Sequence, residues 1–407
     1  MYSILKFIFN KIFVNKDFIK YQNPYFIGSE IKIVDKAIKS KNLIGPDNFI
    51  IKSEQLLEKQ LSCRKILLTA SGTDALEMAC ILAKFTNGDE VIIPSFNFPS
   101  SATSVLRCGA VPVFVDINSS DLNISIESIT KSITNKTKGI ILVHYAGISA
   151  QMSKIMEIAK SNDLIVIEDA AQAIYSKYKE KYLGTIGHFG ILSFHQTKNI
   201  FCGEGGALLI NQKKYIQRAH IIREKGTNRH DFINKKINKY SWVDIGSSFL
   251  PSSLQAAFLY KQLQNGFQIN EKRKLIFKRY HNFFINFSKG YDIEIPSFNN
   301  NIEPNGHFYW ILIPQKSRYK FIETAKLNNI ELTSHFEPLH NSKAGTHYGK
   351  TFYNLDVTKL LSKKIVRIPI HTQMSSSKQE YVLEILSKTI IKHFKDEAFT
   401  HKKIKLK

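Results

Sequence analysis

Leu164-Ile165-Val166-Ile167-Glu168-Asp169-Ala170-Ala171-Gln172 reads as a buried strand that stops at a polar turn: an unbroken β-branched run, then two carboxylates and small residues. Short apolar runs of this kind mark strands covered on both faces. The same pattern recurs upstream at 65–68, 90–93, 111–115 and 139–144, and downstream at 190–194 and 207–210. Between these runs, segments 73–83, 126–133 and 152–161 have helical spacing. Strand and helix therefore alternate from Arg64 to Ile210. That alternation predicts an α/β fold on a mostly parallel, seven-stranded sheet with crossover helices.

After Pro251 a long helical pattern covers 252–287, with Leu254, Ala257, Phe258 and Leu263 at core-like spacing, and predicts a link to a second unit. The remainder, to about Phe394, alternates strands such as 309–313 with helices such as 321–327, a smaller C-terminal α/β domain. The expected organisation is a basic amphipathic extension over 1–24, a large domain over 25–262, a small domain with its linking helix over 263–394, and a basic tail over 395–407. Within that tail, His401 to Lys407 is expected to be disordered.

A chain of 407 residues with 43% hydrophobic content can bury a full core. Its formal charge of +23 would attract polyanions, but the lysines are scattered among Asn and Ile, and no helix-turn-helix, zinc-knuckle or RNA-binding aromatic signature accompanies them. A nucleic-acid partner is not expected; attraction for small acidic molecules such as nucleoside diphosphates is. Cys63, Cys80, Cys108 and Cys202 are far apart, which suggests neither a zinc site nor a disulfide framework and fits a reducing cytoplasm. Residues 1–20 are apolar and basic, but Lys6, Lys11 and Lys16 interrupt them, and they are too short and broken to span a bilayer. Wound as a helix, Ser3, Lys6, Asn10, Asp17 and Lys20 share one stripe, leaving a wide apolar face to pack on the protein or a second subunit. Peripheral membrane contact through residues 1–20 is the alternative.

Four segments bear residues with chemistry. In Ala70-Ser71-Gly72-Thr73-Asp74, a turn opening a helix offers free N–H groups and a helix dipole to a phosphate, with Gly72 allowing close approach and Thr73 adding a hydroxyl; an ordinary capped helix reads the same way. At the end of the 164–168 run, Asp169 could face the nitrogen of a bound pyridine ring and keep it protonated, or simply end a strand. In Ser193-Phe194-His195-Gln196-Thr197-Lys198-Asn199, a lysine just past a buried strand can sit partly desolvated, where its amine is more readily neutral and forms an imine with an aldehyde. Gly203-Glu204-Gly205-Gly206 leads into a strand, so it is a turn beneath the lysine and no dinucleotide fingerprint. In Pro94-Ser95-Phe96-Asn97-Phe98-Pro99, an aromatic could stack on a planar cofactor or fill the core.

In order and spacing these motifs resemble the sugar aminotransferases of the DegT/StrS type, over about Tyr25 to Lys392. Val143-His144-Tyr145-Ala146-Gly147, Arg223 to Arg229 and Trp242 to Ser248 resemble the branch that makes dTDP-4-amino-4,6-dideoxygalactose for bacterial surface glycans. The resemblance implies a fold-type-I, pyridoxal-phosphate-dependent homodimer with active sites shared at the subunit interface and no metal. It implies that Lys198 is catalytic and holds the cofactor, Asp169 pairs with the pyridine nitrogen, Phe98 stacks on the ring and Gln172 approaches its phenolic oxygen. Gly72, Thr73 and Ser193 would bind the phosphate, joined by Asn228 of the other subunit, while Arg229 and His340 would touch substrate. Asn97 stands where the family has Thr, which puts one local hydrogen bond in question, and residues 1–23 have no counterpart. The implied reaction is transfer from L-glutamate to a nucleotide-linked keto-sugar, dTDP-4-keto-6-deoxy-D-glucose being expected. A 3-aminotransferase or other nucleotide keto-sugar aminotransferase is the alternative. A related sugar dehydratase would carry histidine in place of Lys198, and a non-catalytic regulator would not need Lys198 and Asp169 together.

Overall fold

The computed structural model describes residues 18–41, 43 and 48–404; of the helix and membrane contact expected for residues 1–20, residues 1–17 lie outside the described residues and residues 18–20 are extended, with Ile19 bridged to Ile330. Seven strands form the main sheet: β1 (Lys65–Thr69), β2 (Glu90–Pro94), β3 (Val111–Val115), β4 (Thr137–Val143), β5 (Ile165–Asp169), β6 (Phe189–Ser193) and β7 (Gly206–Ile210). Their order across the sheet is β1-β7-β6-β5-β4-β2-β3. Only β7 runs against its neighbours β1 and β6; the remaining pairs are parallel, as expected for strands joined by helical crossovers. Period-two alternation sends Leu67, Ile93, Ile141, Ile167 and Ile191 into the core under helix Gly72–Leu82, and Ile66, Ile92, Ile140, Val166 and Leu192 to the opposite face. Both faces being buried, the runs carry no polar alternation.

Helix Ser100–Arg107 was not anticipated. Four of its eight residues are Ser or Thr, which favour turns locally, and tertiary packing of Ala102 and Val105 decides instead.

The pattern expected as one helix over 252–287 is two, Ser253–Gln264 and Gly266–Phe287. Ser252 and Gln255 close a capping box at the start of the first. The break falls at Asn265, whose backbone leaves the helical region, and the next residue is glycine because a Cβ there would stand 2.3 Å from the Tyr175 hydroxyl. Ala256, Leu259, Leu263 and Ile269 pack into the large-sheet core, whereas Ile276, Phe277, Tyr280 and Phe284 pack into a second one. The chain thus passes between cores in the middle of the second helix, beyond the boundary expected at residue 262.

The second core surrounds an antiparallel pair, β8 (Tyr309–Leu312) and β9 (Ile365–Ile368), with helices Gln315–Leu327 and Ser376–Ile404. The last helix reaches Ile404, into the tail read as disordered, since residues 376–404 contain neither Gly nor Pro to stop it. Residues at the chain start belong here too. Ile19 N–H donates to Asn329 O at 2.8 Å, Glu331 N–H donates to Ile19 O at 2.9 Å, and Ile19 is buried in this core.

Candidate active site

The parallel strands deliver their carboxyl ends to one edge, and the loops leaving that edge hold the chemistry. β6 ends in a loop closed by backbone bonds: Phe194 N–H to Gly205 O at 2.8 Å, Gln196 N–H to Gly203 O at 2.8 Å and Lys198 N–H to His195 O at 2.9 Å. Lys198 is carried there, partly buried. Burial pushes its amine below the ordinary lysine range, the Arg367 guanidinium adds to that, and the Asp169 carboxylate opposes it.

The two carboxylates ending β5 go to opposite faces, because adjacent strand residues do. Glu168 is fully buried and accepts N–H bonds from Gly184 at 2.9 Å, Ile186 at 2.7 Å and Gly187 at 2.5 Å. It also accepts from His144 Nε2 at 2.9 Å; since Ala150 N–H donates to His144 Nδ1 at 3.2 Å, the ring proton sits on Nε2. Glu168 is therefore a structural tie for the 184–187 loop. Glu168→Ala should lower stability by about 3 kcal/mol or more, by leaving buried donors unpaired. Denaturant unfolding of the variant checks this, and an unchanged midpoint would contradict it.

Asp169 faces the other way, towards Lys198. Burial raises its carboxyl, while the Ala171 N–H at 3.1 Å, Lys198 and the Ser101 hydroxyl at 3.3 Å favour the ionised form. Asn97 supports this set despite departing from the expected Thr: its Nδ2 donates to Ser101 Oγ at 3.1 Å and its Oδ1 accepts the Phe98 N–H at 2.7 Å. Phe98 is 52% exposed, with its ring set edge-on to Phe336 at 5.2 Å. Gln172 Oε1 accepts the Ala146 N–H at 2.8 Å, which turns its amide Nε2 outward as a donor.

At the start of helix Gly72–Leu82 the Ser71 hydroxyl takes the Asp74 N–H at 3.0 Å, leaving the first N–H groups of the helix for a ligand. Thr73 Oγ1 and Ser100 Oγ are 2.8 Å apart, and a Cβ added to Gly72 would lie 3.1 Å from Ser193 Cβ. Gly72, Thr73, Ser100 and Ser193 therefore lie close together, and any larger side chain at 72 would crowd Ser193. Hydroxyls, free N–H groups and a helix dipole suit a phosphate; the outward amide of Gln172 and the carboxylate of Asp169 suit the two polar edges of a substituted pyridine ring. The donor set fits pyridoxal phosphate.

Three expected residues are not brought to Lys198 within the chain. Arg229 is paired with Glu224 at 2.8 Å, and Asn228 sits in the same loop with its Oδ1 taken by the Ser241 N–H at 2.7 Å. His340 Nδ1 lies 2.6 Å from Ser95 Oγ, and its charged neighbours are Lys359 and Asp116; it ties the second unit to the loop after β2. Conversely, Ser100, Ser101 and Arg367 reach the site unannounced. Pro99 ahead of a run of small residues is the helix-start signal that could have found the first two. A lone arginine inside the apolar run 365–370 is the signal for the third.

Comparison with known proteins bears on this geometry. The model of the DegT/DnrJ/EryC1/StrS aminotransferase family matches residues 25–387. An uncharacterised protein of Methanocaldococcus jannaschii is 30% identical over 93% of this chain and 99% of its own. A GDP-perosamine synthase of Escherichia coli O157:H7 is 28% identical over 91% of this chain and 98% of its own. Among solved structures, a DegT DnrJ EryC1 StrS aminotransferase from Brucella abortus superimposes with a TM-score of 0.80 at 26% identity, covering 89% of this chain and 95% of that one.

Proposed function

The chain belongs to the DegT/DnrJ/EryC1/StrS aminotransferase family, and from that premise we propose that it moves an amino group from L-glutamate to C4 of dTDP-4-keto-6-deoxy-D-glucose. The product is dTDP-4-amino-4,6-dideoxy-D-galactose, destined for surface polysaccharide or lipopolysaccharide and made in the cytoplasm. That it is a pyridoxal-phosphate-dependent sugar aminotransferase follows from the family itself. The observation that carries the proposal is Lys198, a part-buried amine at the carboxyl edge of the sheet, pushed towards its neutral form by burial and facing the charge of Asp169. A nucleotide-sugar acceptor is supported by relatives named GDP-perosamine synthase and spore coat polysaccharide biosynthesis protein SpsC, the latter of Bacillus subtilis and 28% identical. The 143–147, 223–229 and 242–248 stretches favour the 4-position.

In this reading Lys198 holds the cofactor, Asp169 pairs with its ring nitrogen, Phe98 covers the ring and Gln172 Nε2 donates to its phenolic oxygen. Gly72, Thr73 and Ser193 receive its phosphate. Pyridoxal phosphate supplies an electron-accepting ring and a carbon that takes the amino group and gives it up again. Lys198 Nζ takes the proton from the donor α-carbon and later delivers one to C4 of the sugar. Asp169, ionised, holds positive charge on the ring nitrogen. Nitrogen passes from amino acid to keto-sugar, so a keto acid and an amino-sugar leave. Incubation with L-glutamate and a panel of dTDP- and UDP-linked 4-keto and 3-keto sugars, with product structures determined, is the test. Amination at C3 alone, or of UDP-sugars alone, would overturn the substrate assignment.

The active enzyme in this reading is a homodimer with shared sites. The 225–247 loop exposes Trp242 (79%), Val243 and Ile245, an apolar surface suited to a second copy, and Asn228, with Oδ1 engaged, has Nδ2 left to donate to a phosphate across the interface. Asn228→Ala should weaken cofactor retention by about 1–3 kcal/mol. Hybrid dimers of an Asn228→Ala chain with a Lys198→Ala chain hold one site missing both groups and one intact, and at cofactor concentrations that leave the Asn228→Ala homodimer largely empty they should regain activity that neither parent homodimer shows. A fully active, cofactor-loaded monomer in sedimentation would refute sharing.

A further inference from the structure

Arg367, on β9, is set among three rings, with its guanidinium carbon 5.4 Å from the centroid of Tyr21, 5.3 Å from Phe308 and 5.8 Å from Phe336. One terminal nitrogen donates to Ser334 O, but the buried Nε–H has no acceptor. Among the described residues no carboxylate forms an ion pair with it. The arginine that is buried near the site differs: Arg273 donates to Gly306 O at 3.1 Å and to His307 O at 2.7 Å. Beside Arg367, His335 is stacked on Phe96 at 3.7 Å with Nδ1 3.1 Å from the Tyr145 hydroxyl, and its own Nε2 is likewise buried without a partner. A half-buried guanidinium with a buried spare donor is completed by an anion that takes that donor.

The place of this cation limits which anion. Phe336 touches both the Phe98 ring and Arg367, and Phe308 packs on Tyr145, the residue after His144, whose N–H is bonded to Asp169 O. Arg367 therefore stands behind the Phe336 ring, which meets that of Phe98, and its charge reaches Lys198. A sugar's diphosphate is separated from C4 by the sugar ring, whereas an amino acid's carboxylate is one bond from its reacting carbon. A single cation boxed by aromatics also matches a single carboxylate better than a multiply charged, strongly hydrated diphosphate.

We propose that Arg367 receives the α-carboxylate of the amino donor, and so determines that the nitrogen comes from an amino acid. This rests on the aminotransferase reading above. If wild-type protein takes nitrogen from no L-amino acid, that reading itself fails, and this is settled before any variant is made. Given a reactive wild type, the two half-reactions are followed separately by cofactor absorbance. Arg367→Gln should slow the half-reaction with L-glutamate roughly 10- to 100-fold, mainly through a raised KM, the loss expected for one charge-assisted hydrogen-bonded pair. The half-reaction of the amine-form enzyme with keto-sugar should lose several-fold less, because there Arg367 acts only through its charge on Lys198, and Arg367→Lys should recover part of the loss. A second measurement needs no variant: phenylglyoxal modification of Arg367 in the wild-type holoenzyme, mapped by mass spectrometry, should be blocked by glutarate and not by dTDP. Equal loss in both half-reactions, selective loss with keto-sugar, or protection by dTDP alone would each overturn the assignment.

Discussion

Lys198→Ala removes turnover, by about 10⁴-fold or more, while the protein remains folded. The loop that carries Lys198 is closed by backbone bonds between 194 and 205 and by Lys198's own N–H, all of which alanine keeps. What disappears is the amine, which serves both as the anchor for the cofactor aldehyde and as the proton carrier between substrate carbons. Because burial and Arg367 already bias that amine towards neutrality, the loss cannot be made good by one of the many exposed lysines. Borohydride reduction of the wild-type holoenzyme followed by peptide mapping should place the label on Lys198, and a label on any other lysine would refute the assignment. Melting of the variant close to wild type separates lost chemistry from lost structure.

Asp169→Asn should slow turnover roughly 10³-fold, the scale on which a single well-placed charge acts in a water-poor site. Asparagine keeps the shape: its amide oxygen can still accept the Ala171 N–H, and its Nδ2, standing where Oδ2 was, can donate to Ser101 Oγ. It cannot hold a proton on a facing pyridine nitrogen. The substitution thus isolates the charge, and stability should change little. Near-normal turnover would reduce Asp169 to a turn residue. The contrast with Glu168 is informative: adjacent carboxylates on one strand should divide into one whose loss unfolds and one whose loss silences.

The sheet was legible because its strands are buried on both faces, so that runs such as 111–115 stand out as unbroken apolar stretches and coincide with Val111–Val115. Helix Met152–Ser161 was equally plain from its spacing. The edge where Gly72, Thr73, Ser193, Asp169, Gln172 and Lys198 gather follows from strand direction alone, since each lies at or just past the carboxyl end of a parallel strand. Local pattern ran out where distant residues decide. Nothing near Gly266 announces that Tyr175 forbids a side chain there, and the helical period reads through the break. Arg367 is one basic residue among 57, and only the rings of Tyr21, Phe308 and Phe336, far apart in sequence, distinguish it. Arg229 and His340 are answered by Glu224 and Ser95 inside the chain, contacts that no spacing rule reveals.

The backbone of Ile19 is bonded to Asn329 and Glu331, and its side chain lies in the same core as Ile368 and Phe394. The first described residues and the last thus build one unit, with the large sheet strung between them. On a ribosome making the chain from its amino end, that unit cannot close until more than 300 residues have followed Ile19, because the strand and helices that cover it have not been made. Joining points so distant is slow, and the waiting segment is exposed to wrong partners meanwhile. The large sheet, whose strands all lie between 65 and 210, is complete far earlier. Vectorial synthesis therefore orders the assembly: the cofactor edge is folded first, and the unit bearing Arg367 is sealed onto it at the end.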